Sequence, residues 1–282
     1  MSERGMRLDA LDARLREMAR LVVAYSGGVD SAFLAVRARN VLGSDGVLAV
    51  TGVSPSLSGE ERAAARALAE SHGVPHLEIE TREFDNPDYR ANPATRCFFC
   101  KDELYSRLAA LAKARGFPWI ADGFNVSDRG DIRPGQKAAA GWKIVHPLDD
   151  AGFTKEDVRA AAREEGLAAW DKPASPCLSS RIPFGTFILE SALTQVADGE
   201  ALLRELGCRG PRVRHHGNTA RLEVRREEFP LLVPRADRLL ADFQRLGFES
   251  VLVDLAGYRR GSLHAPGGES ISLDALGEMM YG

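Results

Sequence analysis

The sequence has no uninterrupted apolar run approaching the roughly 18 residues that a membrane span needs, so a helical membrane protein is excluded. Nor does it open on an apolar secretory leader: Met1 to Arg20 mixes Asp, Glu and Arg with Leu at helical spacing. Cysteine is sparse, four in 282 residues, which excludes the dense disulfide framework of a small secreted domain. These absences together place the expected location in the cytoplasm. Basic charge is not in excess either. Lys and Arg number 37 against 40 Asp and Glu, for a net charge of -3, and no Lys/Arg-rich arm is present. A nucleic-acid partner held by many phosphate contacts is therefore not expected. Internal repeats and low-complexity tracts are absent as well.

What is present is an ordinary globular composition, 44% hydrophobic and 27% charged, at a length that suggests a large domain and a smaller one. Leu8, Leu11, Leu15 and Met18 recur at helical spacing and lead into the apolar run Leu21 to Tyr25, a buried strand. A helix over 32–42, a strand over 47–53, an Ala-rich helix over 59–72 and a strand over 76–79 follow. This alternation predicts an α/β fold: a Rossmann-like parallel sheet with helices on both faces. Segment 84–99, rich in Asn, Pro and Arg, reads as a loop or short helix before a helix over 101–115. Trp119 to Ala121 is a fourth strand, 125–142 is polar, and 143–146 is a short fifth strand. Thr154, with Asp157 in the capping-box position, starts a helix running to about Glu165.

A loop without periodicity spans Asp171 to Thr186 and carries Cys177, and the rhythm then changes. Helices over 189–206 and 235–246 and strands over 211–215, 220–224 and 250–255 suggest a smaller α+β domain. The expected division is 1–187 and 188–282. Trp119, Trp142 and Trp170 read as packing residues, Cys208 as a buried apolar one, and Phe98 and Phe99 as walls beside Cys97 and Cys100.

The first strand ends in Ser26-Gly27-Gly28-Val29-Asp30-Ser31 and opens directly into a helix. Glycines let the backbone approach an anion, and the amides of a first helical turn bind phosphate oxygens. Ser26 and Ser31 add hydroxyls, and Asp30 suits a Mg2+ ion. The Gly-Lys-Ser/Thr ending of a Walker loop is missing. The segment instead resembles the pyrophosphate loop of the N-type ATP pyrophosphatases, which include GMP synthetase, NAD synthetase and several tRNA-thiolating enzymes. That resemblance implies ATP cleaved between its α and β phosphates to adenylate a substrate.

Further blocks resemble the LarE family over nearly the whole chain. They are Asp122-Gly123-Phe124-Asn125 with Asp128, Asp131 and Arg133-Pro134-Gly135; His146-Pro147-Leu148; Lys172 to Pro183; and Asp254-Leu255-x-Gly257-Tyr258-Arg259-x-Gly261-Ser262. Phe124 departs from the small polar residue expected there and puts a minor nucleotide contact in doubt. The resemblance implies an ATP-dependent sulfur transferase of nickel-pincer nucleotide biosynthesis. Its substrate would be a nicotinate-derived pyridinium dicarboxylate mononucleotide, with sulfide or another sulfur donor as co-substrate and a trimer-based homo-oligomer as assembly. Asp122 and Asn125, at a strand end where open parallel sheets place ligands, join the expected ATP site.

Replacing a carboxylate oxygen by sulfur needs a good leaving group and a sulfur nucleophile, so the cysteines decide the chemistry. Cys97, Cys100 and Cys177 match the LarE type in which three cysteines hold a [4Fe-4S] cluster whose fourth iron carries an exchangeable sulfide. A sacrificial Cys177 is the alternative, and a zinc site or redox pair is a third. Arg181, four residues past Cys177, could hold AMP or substrate phosphate beside the sulfur or merely stabilise its loop. Arg212 and Arg214 share one strand face and, by resemblance, anchor the substrate phosphate; the bland alternative is a solvated face of ion pairs. Glu200 and Glu223 resemble family positions near a subunit-interface metal. Rival functions are a tRNA thiolase, an ammonia-using amidating synthetase and a non-catalytic ATP sensor.

Overall fold

The computed structural model describes residues 2–130, 134–172, 176–258 and 270–281. Asp131, Arg133, Pro173, Ala174, Ser175, Arg259, Gly261 and Ser262, quoted above, lie outside the described residues. The chain folds as two compact units, one of residues 1–89 and 95–175 and the other of residues 90–94 and 176–282. The sequence reading sets the boundary at Phe187, whereas 176–187 groups with the second unit. Two sets of bonds tie it there. Arg181 forks onto Glu200 at 2.8 and 3.0 Å, and the amides of Gly185 and Ile188 donate to the carbonyls of Asn92 and Arg90 at 2.9 and 2.8 Å.

In chain order the first part runs α1 (Glu3–Met18), β1 (Leu21–Ala24), α2 (Val29–Leu42), β2 (Val47–Val53), α3 (Gly59–Ser71), β3 (His76–Glu80), α4 (Pro87–Arg90), α5 (Arg96–Arg115), β4 (Trp119–Ala121), α6 (Pro134–Gly141), α7 (Pro147–Asp150) and α8 (Lys155–Glu164). The strands form one parallel sheet in the order β3-β2-β1-β4. Because successive side chains of a strand point to opposite faces, the apolar run of β1 feeds two cores. Leu21 and Val23 join α1, α2 and α8 on one face, while Val22 and Ala24 join Tyr105, Leu108 and Ala112 of α5 and Ala138 and Ala139 of α6 on the other. Each fully buried Val or Leu contributes about 1.5–3 kcal/mol, so the two-sided burial fixes β1 and the loop that follows it.

Three elements differ from the sequence reading. The helix α5 starts at Arg96 rather than Lys101, so Cys97 and Cys100 lie within it rather than in the segment before it. Between Arg96 and Lys101 there is no Gly or Pro to stop it, and Phe98 packs into the core beneath. The polar stretch 125–142 contains α6, with Pro134 at its first position and an Ala run inside. The expected fifth strand is a single parallel bridge between Ala121 and Val145, because Pro147 opens α7 directly afterwards. The Thr154–Asp157 capping box forms as expected. The tryptophans are surface residues, each 37% exposed. Arg14 lies over Trp119 and Arg163 over Trp170, and the Trp142 indole donates to Asp102 at 2.8 Å, which lets each ring keep one wet edge.

The second unit holds α9 (Glu190–Glu205), β5 (Arg212–His216), β6 (Thr219–Glu223), α10 (Phe229–Leu232), α11 (Ala236–Arg245), β7 (Ser250–Asp254), β8 (Ser270–Ser272) and α12 (Leu273–Tyr281). Its sheet is mixed, in the order β5-β6-β7-β8: β6 and β7 are parallel and the outer pairs antiparallel. Val213, Ala220, Leu222, Val251 and Val253 pack on Leu203, Leu232, Leu239, Phe243 and Leu276. Cys208 is buried in this core and its thiol is pushed up to about 11 by burial, as befits an inert packing residue.

Candidate functional site

The turn after β1 is built to leave helix amides available. Gly27 has φ 71°, and a Cβ there would lie 2.7 Å from the Cβ of Ala65, so only glycine fits. Gly28 caps α2 without a side chain and thus offers no acceptor of its own to the first-turn amides. The hydroxyls of Ser26 and Ser31 are 3.2 Å apart, the Gly28 amide donates to Ser26 Oγ at 3.3 Å, and Ser31 Oγ donates to the Gly28 carbonyl at 3.2 Å. This is a small nest of donors at the positive end of a helix dipole, the arrangement that binds phosphate.

β4 is the other neighbour of β1, with Val23 level with Ala121, so Asp122 and the turn behind it follow at the same edge of the sheet. Chain connectivity reverses direction across the sheet here, the place where open parallel sheets bind ligands. Gly123 lies on the first turn of α2: a Cβ there would come within 2.7 Å of the Ser31 nitrogen. Asn125 is wholly buried, and its amide donates to Asp30 Oδ1 at 3.3 Å, while the Lys155 ammonium bonds Asp30 Oδ2. Both Asp30 oxygens are thus engaged, and a lysine stands beside the phosphate nest. Sequence reasoning missed Lys155. The only local signal was its place as the first helical residue after Thr154, because the contact with Asp30 spans most of the domain.

Asp122 has internal partners. His146 Nδ1 bonds its Oδ1 at 2.7 Å, the Tyr105 hydroxyl donates to Oδ2 at 2.8 Å, and the Phe124 amide donates to Oδ1 at 3.1 Å. Burial alone would raise the carboxyl, but the His146 bond and the Lys101 charge hold it below the usual carboxylate range. Burial would likewise lower His146, yet the bond and charge of Asp122, with Asp149 and Asp150, raise it above its ordinary value. Burial, then Asp122, pushes the Tyr105 phenol well up, so it stays a donor. Tyr105 lies on α5 with Lys101, whose ammonium sits 5.2 Å from its ring. Cys97 and Cys100 occupy the same helix one turn earlier, the first exposed and the second half-buried. Phe98 and Phe99 meet edge-to-face between them, with ring centres 5.5 Å apart.

The second unit carries a different concentration of charge. Opposite its apolar core, the sheet presents Arg212, Arg214, Arg221, Glu223 and Asp254, and Arg212, Arg214, Glu223 and Asp254 are buried outright rather than forming a solvated face. Arg214 bonds Glu223 at 2.9 Å and the Ser180 carbonyl at 2.8 Å, and Arg221 bonds Asp254. Arg181 is 2% exposed, forks onto Glu200, and donates to the carbonyls of Pro176 and Cys177 at 2.5 and 3.0 Å. It therefore shapes the exposed Cys177 turn from beneath. Arg212 is less well matched: it donates to the Pro211 carbonyl at 2.9 Å and stays 3.8 Å from Glu200. Burial and the charge of Arg181 pull its pKa down, the mark of a cation short of countercharge.

Residues 9–107 match the NAD synthase family model. The chain is 43% identical over 260 residues to the Synechocystis sp. protein slr1717, covering 92% of this chain and 97% of that one. It is 37% identical over 255 residues to the pyridinium-3,5-bisthiocarboxylic acid mononucleotide synthase of Lactiplantibacillus plantarum, covering 90% of this chain and 92% of that enzyme. The tRNA-specific 2-thiouridylase MnmA of Mycolicibacterium smegmatis is 31% identical but over only 55% of this chain and 53% of its own length. With near full-length similarity to the L. plantarum enzyme and a match to the NAD synthase family model over residues 9–107, the chain belongs to the LarE family, sulfur-transferring enzymes of the PP-loop ATP pyrophosphatase superfamily.

Proposed function

We propose that this chain adenylates a carboxylate of a pyridinium dicarboxylate mononucleotide with ATP and converts it to a thiocarboxylate, in nickel-pincer nucleotide biosynthesis. The observation that carries the reading is the donor nest of Ser26 to Ser31 at the edge where β1 and β4 end, with Lys155 beside it. The name of the L. plantarum relative supports the substrate class. A carboxylate oxygen attacks the α phosphorus and pyrophosphate leaves into the first-turn amides. A sulfur nucleophile then attacks the acyl carbon, AMP departs with the C–O electron pair, and the thiocarboxylate remains. Asp30 offers the hard oxygens that Mg2+ prefers and would hold the ion, which would supply positive charge to the leaving pyrophosphate; Lys155, bonded to Asp30, adds a cation beside the loop.

For the substrate, Arg212 and Arg214 supply phosphate-binding guanidiniums, Arg212 carrying the less compensated charge. Arg181 acts in this reading by fixing the Cys177 turn, and Glu200 and Glu223 by fixing arginines. Cys97 and Cys100 lie one turn apart on α5 and Cys177 is exposed in the second unit; among the described residues no three His, Cys, Asp or Glu side chains are gathered to hold a metal ion, so the three-cysteine cluster rests on the LarE resemblance. A [4Fe-4S] cluster held by three cysteines would supply an exchangeable sulfide. We take the protein to work as a trimer-based homo-oligomer.

The test is turnover of anaerobically purified protein with ATP and a nicotinate-derived dicarboxylate mononucleotide. Pyrophosphate and a thiocarboxylate product are expected, and ATP left intact would overturn the reading. Absorbance and intact mass before and after turnover decide the sulfur source. A brown protein bleached by Cys97→Ala supports the cluster. A colourless protein that loses the mass of one sulfur from Cys177 replaces it with sacrifice of that residue.

A further inference from the structure

We propose that His146 is a cationic hydrogen-bond donor to the phosphate of bound nucleotide, positioned by Asp122 at the carboxyl end of β4; this rests on the nucleotide reading above. The Nδ1 of His146 is committed to Asp122 at 2.7 Å, so Nε2 is the nitrogen left to face a ligand. The ring is fixed on two further sides. It tilts against Phe124 with centroids 5.0 Å apart, and its own backbone caps α7. Asp122 in turn cannot rotate, since Tyr105 and the Phe124 amide hold its oxygens. The next residue, Gly123, lies against the Ser31 nitrogen in the first turn of α2. The imidazole is therefore tethered one residue from the amides that receive phosphate. Its side chain remains 27% exposed, so a ligand can reach it.

The charges around it favour the imidazolium. Asp122 faces it from β4, and Asp149 and Asp150 face it from α7. Arg129 takes up part of Asp149 at 2.6 Å, and Arg14 lies 3.4 Å from Asp150. From α5, Tyr105 and Lys101 act on it through Asp122. Even against burial, His146 is held above its ordinary pKa, and its charge is lost as pH rises through the raised value.

The experiment is the affinity of the full-length chain for α,β-methylene-ATP, measured by calorimetry from about pH 6 to about pH 9, across the range where a histidine loses its proton. His146→Gln is compared with the wild type at each pH, so the titration of the ligand's own phosphates cancels in the ratio. The glutamine amide can still donate to Asp122 and keep the turn in place. The wild type is expected to bind about tenfold more tightly near pH 6, with the two proteins converging at high pH. Asp122→Asn should move that convergence to lower pH. Equal affinities, or a ratio that does not change with pH, would overturn the role of His146. A wild type that binds no nucleotide at any pH would instead bring down the nucleotide reading itself.

Discussion

The two units concentrate anion-binding groups in opposite ways. In the first, the donors are backbone amides and small hydroxyls at a helix start, and the cap residue is a glycine that competes for none of them. In the second, the donors are guanidiniums buried on a sheet face, nearly all already paired with Glu200, Glu223 or Asp254. An amide nest costs little to keep empty, because its charge is partial and its geometry is set by the strand and helix. Buried guanidiniums must have carboxylates while they wait, since isolated ions cannot be left in the interior. The carboxylates of the second unit therefore hold its buried arginines in place.

That contrast can be broken most severely from the carboxylate side. Glu200→Ala strips Arg181 of its fork and Arg212 of its nearest countercharge, and should destabilise the second unit by about 3 to 5 kcal/mol in urea unfolding. In the first unit the weak point is steric. Gly27→Ala forces a Cβ against Ala65 at positive φ, and should cost about 2 to 3 kcal/mol of stability and abolish pyrophosphate release. A smaller effect is expected at the charged side chain bound to Asp30. Lys155→Met should lower kcat/KM for pyrophosphate release by about 1.5 to 3 kcal/mol, leaving the far-UV circular dichroism unchanged.

The smallest effect is a slope. The raised His146 contributes stability that is fully present below its unfolded pKa and lost as pH rises through its folded value. The lowered Asp122 contributes stability present above the ordinary carboxylate range and lost as pH falls through its depressed value. The Tm of the wild type should therefore decline from mildly acidic toward alkaline pH, and His146→Gln should flatten that part of the curve.

Local signals made the turn from β1 into α2 legible: an apolar run, two glycines, two serines and a helix start. The capping box at Thr154 was equally local and formed as expected. The start of α5 was not readable, because Pro93 to Thr95 fall outside the helix and the Asn/Pro-rich stretch before it masked the turn that carries Cys97 and Cys100. Lys155 and the ring of His146 acquire meaning only through Asp30 and Asp122, partners supplied by α2 and by the turn after β4. The arginine sheet was legible as alternation, but alternation cannot say whether the polar face is wet or buried. Its burial follows from the 178–181 turn that lies over it, through the bond from Arg214 to the Ser180 carbonyl.

Segment 90–94 belongs to the second unit although the chain before and after it belongs to the first. During synthesis, the phosphate-loop sheet can close once its own strands have emerged, yet Arg90 and Asn92 must wait for Ile182 to Ile188 before they gain their partners. A loop of that length closes slowly, so the second unit has a folding step that cannot finish on a nascent chain cut short at the first. Expression of residues 1–175 alone would leave that segment without its bonds.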